Sequence, residues 1–140
     1  MDIRSSFGRN FNISREAGKR YERLRQTPLF KGMENKDIFM LAMSLAYRER
    51  LERKKIDRYP LLNTTSFTNA DLWLIVAIAF DETADLMIIK DANEMKRIAE
   101  EYAMAGLPEV ERRVTDCDST DNLVLELNRQ GRDALASLQK

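Results

Sequence analysis

The chain has 140 residues, 44% hydrophobic and 33% charged, with 23 Lys and Arg balancing 23 Asp and Glu. That describes one domain able to bury a core without disulfides or metals, and it excludes a disordered or fibrous protein. There is no histidine and a single cysteine, Cys117, which removes the Ser-His-Asp triad, the Cys-His pair, histidine-ligated zinc and any intramolecular disulfide.

The neutral total hides a division. Residues 1–58 carry 15 Lys and Arg against 8 Asp and Glu, and residues 59–140 carry the reverse. Such asymmetry fits either a face turned toward nucleic acid or two halves that attract each other within one fold.

In chain order, residues 1–13 read as a flexible N-terminal arm, with Gly8 and Asn and Ser turn formers around Phe7 and Phe11. Residues 14–140 read as a single helical domain. The N-terminus lacks the apolar core of a signal peptide, and the longest apolar run, residues 72–80, is far short of the roughly 20 residues that span a bilayer. The expectation is a cytoplasmic protein without membrane contact.

Ser14 is a candidate N-cap for a first helix with Ala17, Tyr21 and Leu24 on one stripe and Arg15, Lys19 and Arg23 on another. Thr27-Pro28 ends it. A second helix begins near Asn35 and buries Ile38, Leu41, Ala42 and Leu45, flanked by Phe39, Met40 and Met43. It is expected to continue into the basic stretch RERLERKK, with Glu49 and Arg53 as a supporting pair one turn apart. Residues 56–67 read as the longest loop. Thr68 and Asp71 form a capping box for a third helix over residues 71–80, apolar all round and therefore the expected centre of the fold.

Residues 81–84 turn the chain, Asp85 caps the next short segment, and residues 86–89 are too few to assign as helix or strand. Asp91 and Glu94 form another capping box for a helix carrying Met95, Ile98, Ala99, Tyr102 and Ala103 inward. Gly106 is expected to end it and Pro108 to open a short helix over residues 108–115. A last helix over residues 119–138 places Leu123, Leu127, Ala134, Leu135 and Leu138 inside. The fold class is all-α: a single compact bundle of about six helices around a central apolar helix.

No constellation reads as a reaction centre. Asp81, Glu82 and Asp85 lack the spacing and glycine of a calcium loop, and read as a polar turn. Glu100 and Glu101 point about 100° apart on a helix, and read as a solvated face with Lys96 beside Glu100. Cys117 lies between two aspartates, which weakens its thiolate. The five glycines build no phosphate-cradling loop. Met33, Met40, Met43, Met87, Met95 and Met104 read as core. No catalytic residue, metal or cofactor is expected.

Two basic clusters remain. The nucleic-acid-binding candidates within them are Arg15, Lys19, Arg23, Arg48, Arg50, Arg53, Lys54 and Lys55, with Arg4, Arg9, Arg20, Arg25 and Arg58 nearby. Such clusters can follow a phosphate backbone, and Phe7 and Phe11 could stack on bases or on a partner. The plainer reading is that basic side chains near a helix C-terminus complement its dipole and keep it hydrated.

Three motifs carry a family resemblance: Lys36, Asp37, Phe39 and Ala42 in an apolar helix; the apolar run from Leu72 to Asp81; and Glu101, Tyr102, Ala103, Gly106 and Leu107. Over about residues 28–115 the chain resembles the small helical proteins called Dnd-associated protein four. These are encoded beside DNA phosphorothioation systems, which replace a backbone oxygen of DNA with sulfur. The family tends to have a glycine-containing turn after the position of Tyr47, where this chain continues RERLERKK. The resemblance brings no catalytic residues. It implies a non-enzymatic accessory protein of a DNA-modification, defence or mobile-element locus, with DNA or a protein of such a system as partner. The alternative is a protein–protein adaptor or self-associating regulatory protein that does not touch nucleic acid.

Overall fold

The computed structural model describes residues 2–116 and residues 129, 131 and 132. Among them the order is α1 (Ile3–Ser6), β1 (Asn10–Ile13), α2 (Arg15–Arg25), α3 (Asn35–Arg48), β2 (Tyr59–Asn63), α4 (Asn69–Thr83) and α5 (Ala92–Asp116). Short 3-10 turns occupy Pro28–Phe30, Thr64–Ser66 and Leu86–Lys90. The protein is mostly helical rather than all-α, with five helices among the described residues instead of about six. β1 and β2 form a small antiparallel sheet. The expected last helix lies, apart from residues 129, 131 and 132, outside the described residues, as does Cys117.

The central element is α5. It is one helix of 25 residues that runs through both Gly106 and Pro108. The expected break between two helices is therefore absent. Pro108 forgoes one backbone hydrogen bond, but Leu107 and Val110 on either side of it are buried, so packing holds the helix together across the gap. Gly106 has a different role from the cap expected of it. A Cβ there would lie 1.8 Å from the carbonyl oxygen of Ala42, so the missing side chain lets the backbones of α3 and α5 touch where the helices cross. On one side of that crossing Tyr47 packs edge-on against Tyr102, with ring centroids 6.0 Å apart. On the other, Arg113 pairs with Glu49.

α3 buries Ile38, Phe39, Ala42, Met43, Leu45 and Ala46 toward α5, while Leu41, expected in the stripe, is exposed. α4 is not the centre. Leu72, Ile75, Val76, Ile78 and Ala79 face the core, but Trp73, Leu74 and Phe80 face outward. Its capping box is as expected: the Asp71 amide donates to Thr68 Oγ1 at 3.0 Å, and the Thr68 amide donates to the Asp71 carboxylate at 2.9 Å. Lys36 adds an ion pair to Asp71 at 2.8 Å, which ties the start of α3 to the start of α4. Asp85 accepts from the Met87 amide and Asp91 from the Glu94 amide, both as expected. The Glu94 carboxylate turns instead to Arg97.

Residues 2–13 are no loose arm. Ile3, Phe7, Phe11 and Ile13 are buried. β1 pairs with β2 in the register Asn10 to Asn63, Phe11 to Leu62 and Ile13 to Tyr59, so part of the expected 56–67 loop is a strand. Phe11 stacks on Phe67 with centroids 4.6 Å apart and lies within 6 Å of Phe7 and Phe39, closing a four-ring cluster at about 1.5–3 kcal/mol per buried ring. The Arg4 guanidinium donates to the carbonyls of Thr64 at 2.8 Å and Phe67 at 2.6 Å, stapling α1 to the approach of α4. Neither Phe7 nor Phe11 is available to a base or a partner.

Glu100 and Glu101, expected on a solvated face, are both buried. Of the methionines expected in the core, Met43 and Met95 are buried, Met40 and Met104 are partly so, and Met33 and Met87 are exposed.

Candidate nucleic-acid interface

The basic residues sort by what the local structure does with them. On α2 the 3.6-residue period turns Ala17, Tyr21 and Leu24 inward and leaves Arg15, Lys19, Arg23 and Arg25 in water. Arg20 sits between these faces. It makes a close ion pair with Glu111 of α5 and a second to Glu16, and the Glu111 hydrogen bond raises its pKa. It is a strut between α2 and α5. Ser14 occupies the cap position without a side-chain bond to the helix. The Arg15 amide donates instead to Asp57 Oδ1 at 2.9 Å, and this bond holds the Asp57 carboxyl below the usual carboxylate range.

The second cluster is not a helix beyond Arg48, and Glu49 and Arg53 do not pair one turn apart. Arg50 is left-handed at φ 55°. Its amide donates to the Tyr47 carbonyl at 3.2 Å, and the Leu51 amide donates to the Ala46 carbonyl at 2.9 Å. This pair of bonds is the Schellman ending that glycine usually makes. α3 therefore ends in a turn of the glycine type, with arginine in the glycine position.

After the turn, residues 51–58 have no regular secondary structure and are pinned at two points. The Lys54 amide donates to the Glu101 carbonyl at 3.2 Å, and Asp57 caps α2. Arg53 turns inward: its Nε lies 3.5 Å from Glu82 and 3.8 Å from Glu101, and its guanidinium stands 6.0 Å over the Tyr102 ring. At the other end Arg15 lies 5.6 Å over the Tyr59 ring, beside a groove of about 440 Å³ that Lys19 and Arg25 also line.

The segment thus joins the two clusters into one strip. Of the eight candidates, Arg53 alone forms ion pairs among the described residues. Lys19, Arg23, Arg48, Arg50, Lys54 and Lys55 form no ion pair among the described residues and are exposed; Arg15 is exposed as well, with Asp57 beside it at its amide. Glu16, Glu22, Glu49, Glu52 and Asp57 interrupt the strip without reversing its sign. From Lys54 to Tyr59 the chain reaches at most about 17 Å, the rise of about five base pairs along one strand.

The acidic residues beside it are engaged one by one. Tyr47 donates to Asp81, and Tyr102 donates to Glu82 at 2.6 Å. Burial first, and then that bond to Glu82, pushes the Tyr102 hydroxyl up to about 12; the Asp81 bond raises Tyr47. Neither tyrosine is an activated nucleophile. Among the described residues no group of acids, cysteines or histidines could hold a metal ion. Glu100 accepts from the Asn12 amide at 2.5 Å and from Asn12 Nδ2 at 3.1 Å, and burial pushes its carboxyl up to about 7. Lys96 lies near enough to Glu100 for their charges to interact but bonds elsewhere. It donates to the Asn10 carbonyl at 2.8 Å and lies 5.4 Å over the Phe11 ring. These two groups fasten β1 to α5 and form no part of the strip.

The model of one family, DNA sulphur modification system-associated protein 4, matches residues 13–139. The chain belongs to that family. The match reaches further toward both ends than the motifs of residues 28–115, and it takes in the whole basic strip. Membership makes the chain an associated protein of a DNA sulphur modification system. No curated protein and no solved structure matches the chain. No helix among the described residues is long and apolar enough to cross a membrane.

The Schellman turn is the feature that sequence reasoning missed. Its usual signal, glycine, is absent. The switch from an apolar helix to RERLERKK was legible, but that pattern alone does not separate a solvated helix end from a chain that leaves the helix.

Proposed function

We propose that this family member is a non-enzymatic accessory protein that holds DNA for the sulphur modification system through the strip from Arg48 to Lys55 and on to Arg15, Lys19 and Arg23. The observation that carries this reading is the pinning of residues 51–58. The anchors are the Lys54 amide and the Asp57 carboxylate, which leaves the side chains of Arg48, Arg50, Lys54 and Lys55 exposed and without an ion pair among the described residues. Exposed cations on a fixed backbone bind phosphates by releasing counterions, without reading bases. The inward Arg53 has a structural task and is not part of the contact. The tyrosine hydroxyls and the carboxylates near the strip are bonded to each other, which favours a binding role over a chemical one.

The test is fluorescence anisotropy with a labelled mixed-sequence duplex at several salt concentrations. About four phosphate contacts should lower affinity roughly 100-fold between 50 and 200 mM salt. Replacing Arg50, Lys54 and Lys55 together by alanine should flatten that slope by about three contacts. A slope unchanged in the triple variant removes the strip from the account. No binding at the lowest salt removes DNA from it.

A further inference from the structure

We infer that the outer face of α4 is a self-association surface that pairs with the same face of a second copy in antiparallel orientation. Among the described residues the face is apolar and uncovered: Trp73 is 53% exposed, Leu74 and Phe80 are each 43%, and Ala70 and Ala77 are exposed as well. The next residues past the helix, Leu86 and Met87, are 67% and 59% exposed. At about 100 Å² for each half-exposed large side chain, the uncovered apolar area is on the order of 500 Å². That is toward the top of what a monomer leaves open; α4 itself supplies about 300 Å² of it, and two such faces with Leu86 and Met87 offer up to about the 1,000 Å² that a specific interface needs.

The spacing selects the occupant. Ala70, Trp73, Ala77 and Phe80 follow the alternating steps of three and four that mark the seam of a helix pair. Small residues fill one set of seam positions and aromatic residues the other. In a parallel pair Trp73 would meet Trp73 and Ala77 would meet Ala77. In an antiparallel pair each seam layer joins one position of each kind, so the indole of Trp73 sits over the second copy's Ala77 and Phe80 over its Ala70. Every layer then holds one large and one small side chain, and the two-fold axis closes the assembly at a dimer.

Charge supports the same orientation. No charged side chain lies on the seam between Ala70 and Phe80. Antiparallel pairing brings Asp81 level with the second copy's Asn69, in the first turn of its α4, where a carboxylate complements the helix dipole. The basic strip is built on other elements, with Arg48 and Arg50 beside Asp81 and Glu82 at the end of α4, and two-fold pairing presents it twice.

The experiment is light scattering of the full chain over a dilution series, with the emission of Trp73, the only tryptophan, recorded in parallel. The expected result is a mass of twice 16.3 kDa that dissociates on dilution, with the emission moving red as it does. Trp73→Ala and Ala77→Trp should each weaken the dimer by about 30-fold or more. The double variant Trp73→Ala/Ala77→Trp exchanges large for small within the layer and should restore it. Far-UV circular dichroism confirms that each variant is folded. A monomeric mass throughout overturns the inference, whether Trp73 emits as exposed or as covered by the chain's own residues. Tighter association of Ala77→Trp, or a double variant no better than the singles, also overturns it, since either result marks general stickiness in place of a fitted seam.

Discussion

The crossing of α3 and α5 and the strip that continues from α3 are a few residues apart in sequence and opposite in construction. At the crossing, backbone touches backbone, Phe39, Met43 and Leu107 are buried, and the buried carboxylates Glu100 and Glu101 have donors. In the strip, the chain is fixed at the Lys54 amide and the Asp57 carboxylate, and the charged side chains are left to solvent. The contrast separates two uses of charge. The side chains of Arg20, Arg53 and Lys96 point inward and tie elements together, whereas those of Arg48, Arg50, Lys54 and Lys55 are exposed and form no ion pair among the described residues. A cationic residue's type therefore says little about its task here. Its task is set by the direction the backbone gives it.

The largest effect should come from filling the crossing. Gly106→Ala places a methyl group against the Ala42 carbonyl, so the helices must separate. A loss of about 3 kcal/mol or more is expected in denaturant unfolding, with helix content retained at low denaturant. An effect below about 1 kcal/mol would show that the crossing is looser than the backbone contact implies.

Next comes the buried carboxylate that fastens β1 to α5. Glu100 has a folded pKa of about 7 against an ordinary value of 4.5, raised by burial despite the Asn12 donors and the nearby Lys96 and Arg58 cations. A raised carboxyl binds its proton more tightly in the folded state. It therefore costs no stability below about pH 4.5 and removes stability as pH rises toward 7. The loss should be on the order of 3 kcal/mol. Unfolding of the parent chain followed between pH 4 and 8 should show this decline. In Glu100→Gln the slope should be largely gone, and a slope that persists would assign it to other groups.

A smaller effect is expected at the turn between the two regions. Arg50→Gly removes the left-handed strain of a residue with a Cβ and adds backbone freedom to the unfolded chain, so it should stabilise by about 0.5–1 kcal/mol in thermal unfolding. Destabilisation would mean that the arginine side chain carries packing at this turn. Smallest of all is the strip itself. The triple alanine variant of Arg50, Lys54 and Lys55 should leave stability within about 0.5 kcal/mol per site while changing DNA binding. A large drop in melting temperature would move these residues from the second region into the first.

Much of the helical framework was legible because it is local. Capping residues at Thr68, Asp85 and Asp91 mark starts through bonds made within one turn, and the stripes of α2 and α5 come from a fixed period. The basic candidates were legible as a set of residues. Their division into struts and strip was not, because it depends on Glu111, Glu82 and Glu101, which stand far away in sequence.

The sequence by itself determined a mostly helical domain without the residues for histidine or disulfide chemistry, and a charge division that concentrates cations in the first 58 residues. Only the tertiary structure decided that Ile3, Phe7, Phe11 and Ile13 are core, that α5 runs unbroken through Gly106 and Pro108, and that α4 leaves an aromatic face in solvent. The physical reason is the same in each case. Strand pairing of Phe11 with Leu62, the approach of Ala42 to Gly106 and the covering of one side of α4 are contacts between distant segments. Their energies outweigh local signals worth about 1 kcal/mol each.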